Sequence, residues 1–182
     1  METVVPLSRR KIDIVILVFF WINLLFITYQ VDIEQIILPD ISGDWSYPIW
    51  PLPPVVDLIH WYGNNFDPVL IARPMWWKMT IWIDVLFFGP YYMFAIYAFT
   101  KGKNWIRFVS IIYSGVMMTN VTIILGEEFF GTHPTPNPIM VLALNLPWLL
   151  FPILILWRMH GSERPFTETV AVGGPNTERA VA

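Results

Sequence analysis

Asp84 lies about ten residues into a long hydrophobic segment and six positions before a Gly89-Pro90 pair. A carboxylate at mid-bilayer costs roughly 2.5–3.5 kcal/mol on insertion scales, so an acid at this place marks a functional site by default. Helical spacing puts Trp77, Thr80, Asp84, Phe88 and Tyr91 on one face, an acid flanked by rings. Pro90 removes one backbone hydrogen bond and clashes with the carbonyl four residues earlier, so the helix is expected to kink there and splay from its neighbours. Kink and carboxylate together predict a cavity. A later segment offers Tyr113, Met117, Asn120 and Ile124 at the same spacing, and the last one Asn145 and Trp148, with Pro147 and Pro152 bending it. Amides in membranes also serve as interhelical glue, so Asn120 and Asn145 carry both readings. Asp32 closes the first hydrophobic segment, where solvation at a helix end is the simpler account. The rings beside Asp84 could add cation–π contact to a ligand cation. His60 reads as a packed or exposed loop residue, and His133 and His160 fall outside the segments. With no paired His or Cys, neither a metal site nor a cofactor is expected.

The elements that must carry these residues can be read from composition. The chain has 182 residues, 55% of them hydrophobic, with 10 Trp, 13 Phe and 16 Pro. That is too apolar for a soluble domain of this length and reads as one integral membrane domain. Residues 12–31, 75–99, 105–125 and 139–157 each span roughly 30 Å as a helix. The expected fold class is all-α, a polytopic membrane protein built as a four-transmembrane-helix bundle. A barrel would need shorter alternating strands. Arg9, Arg10 and Lys11, then Lys101, Lys103 and Arg107, then Arg158 and Arg164 put both termini on the cytoplasmic side. The first segment reads as a retained signal anchor. The chain divides into a basic cytoplasmic N-terminus (1–11), a membrane domain (12–158) and a polar tail (159–182) expected to be disordered. Net charge is −3 with no basic stripe, which excludes nucleic acid as a partner, and without Cys there is no thiol chemistry.

Between Asp32 and Pro74 run about forty residues holding seven prolines after Asp32 together with Trp45, Trp50 and Trp61. So greasy a connection is expected to act as a Pro/Trp-rich non-cytoplasmic lid loop. Pro54 suits the start of a helix over 54–62, with Val55, Leu58, Ile59 and Tyr62 on one face, lying across the mouth of the bundle. Asn64-Asn65-Phe66-Asp67-Pro68 ends it. Asp67 and Pro68 read as structural, like Gly89 and Pro90.

Val31-Asp32-Ile33 before a Leu-Pro, the stretch from Trp61 to Pro68, Asp84 six before Pro90, Tyr97-Ala98-Phe99, and Gly102-Lys103-Asn104-Trp105-Ile106-Arg107 occur in an order that resembles the sigma-2 receptor branch of the EXPERA family. The similarity runs through roughly residues 12–158. It implies an endoplasmic reticulum membrane protein with a pocket for sterols or cationic amphiphilic amines, a link to sterol homeostasis, membrane lipid as neighbour, and an open choice between monomer and homodimer. By the resemblance, Asp32 matches the family carboxylate that pairs with a ligand amine. Asp84 matches the second acid, a Glu in that branch, and Asp67 matches a structural Asp-Pro acid. The chain departs from the branch in Phe88, where a polar residue is found, and Gly161–Ala182 shows no lysine-rich retrieval signal. Asn145-Leu-Pro-Trp148 looks instead like the Asn-x-x-Trp of the family's sterol isomerase, the emopamil-binding protein. The isomerase's intramembrane His and Glu have no counterpart, since Thr80 and Ile81 stand one turn before Asp84. A double-bond isomerase is therefore the alternative reading.

Overall fold

The structure is a computed structural model, described for residues 2–169. Four helices are long and apolar enough to cross a membrane: α1 (Lys11–Ile37), α4 (Met75–Lys101), α5 (Ile106–Phe130) and α6 (Pro138–His160). Between the first two lie α2 (Pro53–Phe66) and the short α3 (Pro68–Ala72). The all-α membrane bundle is as expected, but the spanning helices run beyond their hydrophobic segments, because polar residues at the ends still extend the backbone ladder.

Prolines set the starts. Pro53 and Pro54 open α2, and Pro68 opens α3 with Asp67 as its cap. At the first helical turn a missing N–H is one that the helix leaves unpaired anyway. Helix α2 is longer than the sequence suggests, because Asn64 and Asn65 turn their side-chain amides back to the carbonyls of His60 and Trp61, at 2.8 and 2.7 Å, instead of breaking it.

The bundle interior is aromatic. Phe20 meets the rings of Tyr91, Phe99 and Tyr113 edge-on at 5.6, 5.4 and 6.4 Å between centroids. Phe19 stacks on Phe151 at 4.1 Å, joining α1 to α6. Edge-to-face and offset pairs are the favoured ring geometries, each adding about 0.5–1.5 kcal/mol beyond burial.

Two features depart from expectation. The polar tail does not begin at 159: Phe166 is fully buried, and β2 (Thr167–Thr169) pairs antiparallel with β1 (Glu2–Val4). Residues 170–182, where most of the expected disorder falls, lie outside the described residues. Secondly, α4 does not splay at Gly89-Pro90. The backbone widens into a π-helical turn over Asp84–Phe88, with Gly89 N–H donating to the Asp84 carbonyl five residues back. The widened turn absorbs the proline, and a Cβ on Gly89 would come within 2.6 Å of the Tyr29 hydroxyl, so α1 and α4 approach closely where separation was expected.

Candidate functional site

A half-open cavity of about 420 Å³ lies among all four long helices and α2. Helix α1 contributes Asp32 and Gln35; α4 contributes Trp77, Thr80, Asp84 and Phe88; α5 contributes Met117 and Asn120; α6 contributes Asn145 and Trp148. Helix α2 supplies Leu58, Ile59, Trp61 and Tyr62. The size is that of a pocket for a drug-sized or lipid-like molecule.

Both acids sit at irregular backbone. Asp32 ends a π-helical stretch (Asn23–Asp32) of α1, and Asp84 begins the one in α4. Widened turns of this kind re-aim side chains and recur at functional sites. Here they turn two carboxyls toward each other, Asp32 facing Asp84 across the cavity wall. A hydrogen bond between two carboxyl groups would need one shared proton and would leave the pair a single charge. The Thr28 hydroxyl donates to Asp84 Oδ1 at 2.7 Å. Oδ2 of Asp32 is fully buried and meets no hydrogen-bond donor among the described residues.

The aromatic walls are held by hydrogen bonds. Trp77 donates its indole N–H to Gln35 Oε1 at 2.5 Å, and Trp148 donates to Asn23 Oδ1 at 2.7 Å. With their N–H groups engaged elsewhere, these indoles give the cavity an apolar lining.

Of the residues expected in the site, Asp32, Asp84, Trp77, Thr80, Phe88, Asn120, Asn145 and Trp148 all line the cavity. Tyr91 and Tyr113 do not. They stack on each other at 4.1 Å inside the core; Tyr91 donates to Ser110 at 3.0 Å, and Tyr113 shares a hydrogen bond with Tyr92 at 3.1 Å. Each lies one turn beyond the cavity-lining part of its helix, Tyr91 after Phe88 in α4 and Tyr113 before Met117 in α5, and so packs into the core past the end of the cavity. Asn145 donates its amide to the Val141 carbonyl, 3.0 Å away and within its own helix. Thr28, Gln35 and Asn23 were missed, since a single Thr, Gln or Asn near a helix carries no distinguishing signal.

Two polar arrangements were not expected from the sequence. Glu34 is buried against Arg73, with Arg73 Nη2 to Glu34 Oε2 at 2.8 Å, and His60 Nε2 meets its Oε1 at 2.9 Å. His60 is thus tied to a buried acid, with the Trp45 ring set edge-on against it, and does not line the cavity. At the end bearing both termini, Asp13 accepts from Arg10 and from Arg158, each at 2.7 Å. Asp67 caps α3 by accepting from Leu70 N–H at 3.0 Å and also lines the cavity. Burial raises its carboxyl above the usual range, against the lowering effect of Glu128 and of the Leu70 N–H. No group of three or more metal-ligating side chains occurs among the described residues.

The same region carries a family resemblance across the chain. Residues 54–159 match the model of EXPERA, the expanded EBP superfamily. The sigma intracellular receptor 2 of Xenopus tropicalis is 31% identical over 80% of this chain and 86% of its own length. The Homo sapiens protein of the same name is 28% identical over 83% and 88%, respectively. The matched region begins with α2 and contains Asp67, Asp84 and the cavity-lining parts of α4, α5 and α6; the receptor similarity covers over four-fifths of the relatives' length. This chain belongs to the EXPERA family of membrane proteins, in its sigma-2-receptor-like branch.

Proposed function

We propose that the chain is an intramembrane binding protein for sterols or cationic amphiphilic amines, acting by holding its ligand without chemical change. The observation that carries this reading is the Asp32–Asp84 pair set into an aromatic and aliphatic cavity, where one shared proton would leave a single charge. A ligand ammonium would meet the Asp32 carboxyl, while its apolar body would lie along Trp77, Phe88 and Trp148. A neutral sterol would use the same walls, with a hydroxyl as its polar contact. Helix α2, with its aromatic and aliphatic contributions to the wall, is read as the lid. The charge pattern supports a lid on the non-cytoplasmic side and cytoplasmic termini. Residence in the endoplasmic reticulum and a link to sterol homeostasis come with the family branch.

Mass spectrometry of lipids that copurify from the native membrane tests the reading. A sterol or amphiphilic amine in near-stoichiometric amount is expected, and its loss on mutation of the cavity wall ties it to the site. Recovery of bulk phospholipid alone counts against it.

A second reading, isomerisation of a ring double bond, is favoured by one observation: Asn145 and Trp148 share the cavity with Asp84. Moving a double bond needs a proton donor and a base, which the acid pair could supply only between its two members. Incubation with a delta-8 sterol and gas chromatography of the extract separates the readings. No shifted isomer is expected; one that forms catalytically and disappears in Asp84→Asn would replace the binding reading with the enzymatic one.

A further inference from the structure

The cavity wall touches a second pair of carboxyls. Glu128, near the end of α5, is 1% exposed, and neither of its carboxyl oxygens has a hydrogen-bond donor among the described residues. Its neighbour Glu127 is the opposite case, with Oε1 accepting from the backbone and side chains of Thr132 and His133 at 2.8–2.9 Å. The ionisable group that Glu128 faces is the Asp67 carboxyl. The other titratable groups facing Glu128 are Tyr62 of α2 and Glu127 of its own helix, neither of them a cation.

Two buried carboxylates cannot face each other without something positive between them. A metal ion would require more ligands than two side chains provide, and no third metal-ligating side chain joins this pair among the described residues. A proton requires nothing further. Asp67 already accepts from the Leu70 N–H, which favours its ionised form, whereas Glu128 has no such donor. The proton therefore belongs to Glu128.

The pair sits at a seam. The Thr135 hydroxyl donates to the carbonyl of Phe66, the last residue of α2, at 2.6 Å, and Thr135 N–H donates to the Glu128 carbonyl at 2.9 Å. Backbone and side chain thus tie one corner, the α2–α3 junction, to the end of α5. That junction sets the place of Tyr62, Asp67 and Leu70 in the cavity wall.

We propose that Glu128 is a positioning residue for the cavity: as a neutral acid it donates to Asp67, and the shared proton fastens the α2–α3 corner onto α5. The unfolded chain would release both protons above about pH 4.3, the ordinary glutamate value. The folded corner keeps one, so its closure weakens as pH rises and is complete at low pH. This deepens the binding reading, but its main test needs no ligand.

The chain has no Cys, so Val69→Cys, at a fully buried position of α3, introduces a single thiol whose labelling reports opening of the corner. In otherwise native protein and in Glu128→Gln, which keeps a donor, the thiol is expected to be protected at neutral pH. In Glu128→Leu labelling should speed up by about tenfold or more, as for loss of a hydrogen bond to a charged group. Measured against denatured controls at each pH, labelling should climb with pH in the Glu128 protein and stay flat in Glu128→Gln. Affinity for a radiolabelled cationic amphiphilic amine should fall in Glu128→Leu and hold in Glu128→Gln. The proposal is overturned if Glu128→Gln opens like Glu128→Leu, if Glu128→Leu stays closed, or if the pH profile is the same with Glu and Gln. Should labelling behave as expected while no amine or sterol probe binds, the proton fastening stands and the binding reading fails; the reverse outcome separates them the other way.

Discussion

At the scale of single residues, the two acids of the cavity are not equivalent, and the difference predicts their mutants. Thr28 occupies Asp84 Oδ1, whereas Asp32 Oδ2 has no partner among the described residues. An ammonium group should therefore bond Asp32, and Asp32→Asn should weaken an amine by roughly 2–5 kcal/mol, the loss typical of one partner in a desolvated charge pair. A neutral sterol should lose little. Asp84→Asn should be milder toward the amine, because an amide can still donate to Asp32 across the pair. Radioligand binding with an amine and a sterol in parallel decides this. Equal loss of both ligands in both folded variants would assign the acids to architecture alone. Asp84 was legible in sequence because a mid-span acid is expensive and so conspicuous, and Trp77, Thr80 and Phe88 came with its register. Glu127 and Glu128 were not distinguishable, being adjacent residues of one type. Only the fold gives one four hydrogen bonds with Thr132 and His133 and leaves the other facing an acid.

Among the elements, the acids meet because two helices widen at matching points and a glycine lets them touch. A Cβ at position 89 would lie 2.6 Å from the Tyr29 hydroxyl and 3.1 Å from Cγ2 of Thr28, the residue that donates to Asp84. Gly89→Val should therefore force α1 and α4 apart, cost about 1–3 kcal/mol through overpacking, and lower amine affinity by loosening the pair. Gly115→Val is the matched control, since nothing lies within 4 Å of a Cβ there. Thermal melting of both variants in detergent, alongside amine binding, measures the effect; if the two behave alike, close approach at Gly89 is not what assembles the site. Hydropathy located the spans and Pro90 marked the irregularity, but the outcome was reversed. A proline's missing hydrogen bond can be met by a kink or by a wider turn, and the choice depends on what packs alongside. Here α1 does, so α4 widens, while Tyr91, one turn beyond Phe88, stacks on Tyr113 in the core.

For the whole molecule, closure at the end bearing both termini depends on one buried acid between two buried or half-buried cations. Arg10 reaches Asp13, the Phe99 carbonyl and the Val5 carbonyl, tying the N-terminal segment to α4. Arg158 reaches Asp13 and the Pro165 carbonyl, tying α6 to the segment that carries β2. Both guanidiniums lie over the buried Phe166 ring, at 5.0 and 5.3 Å from its centre. Charge counting in the sequence saw these arginines only as topology signals, because inward and outward arginines read alike until a partner acid from another helix face is placed. Asp13→Asn would leave two cations without their counter-charge. Breaking a buried pair from one side costs roughly 3–5 kcal/mol, and at about 2–4 °C per kcal/mol for a chain of this size the melting temperature should fall by several degrees to well over ten. Glu2→Gln removes the partner of Arg164 in an exposed pair, which ordinarily contributes about 0–1 kcal/mol, so it should melt close to the native chain. Tryptophan fluorescence melting of the three proteins gives the comparison. If Asp13→Asn melts with Glu2→Gln, the joined termini contribute nothing to stability and the bundle is held by its aromatic interior alone.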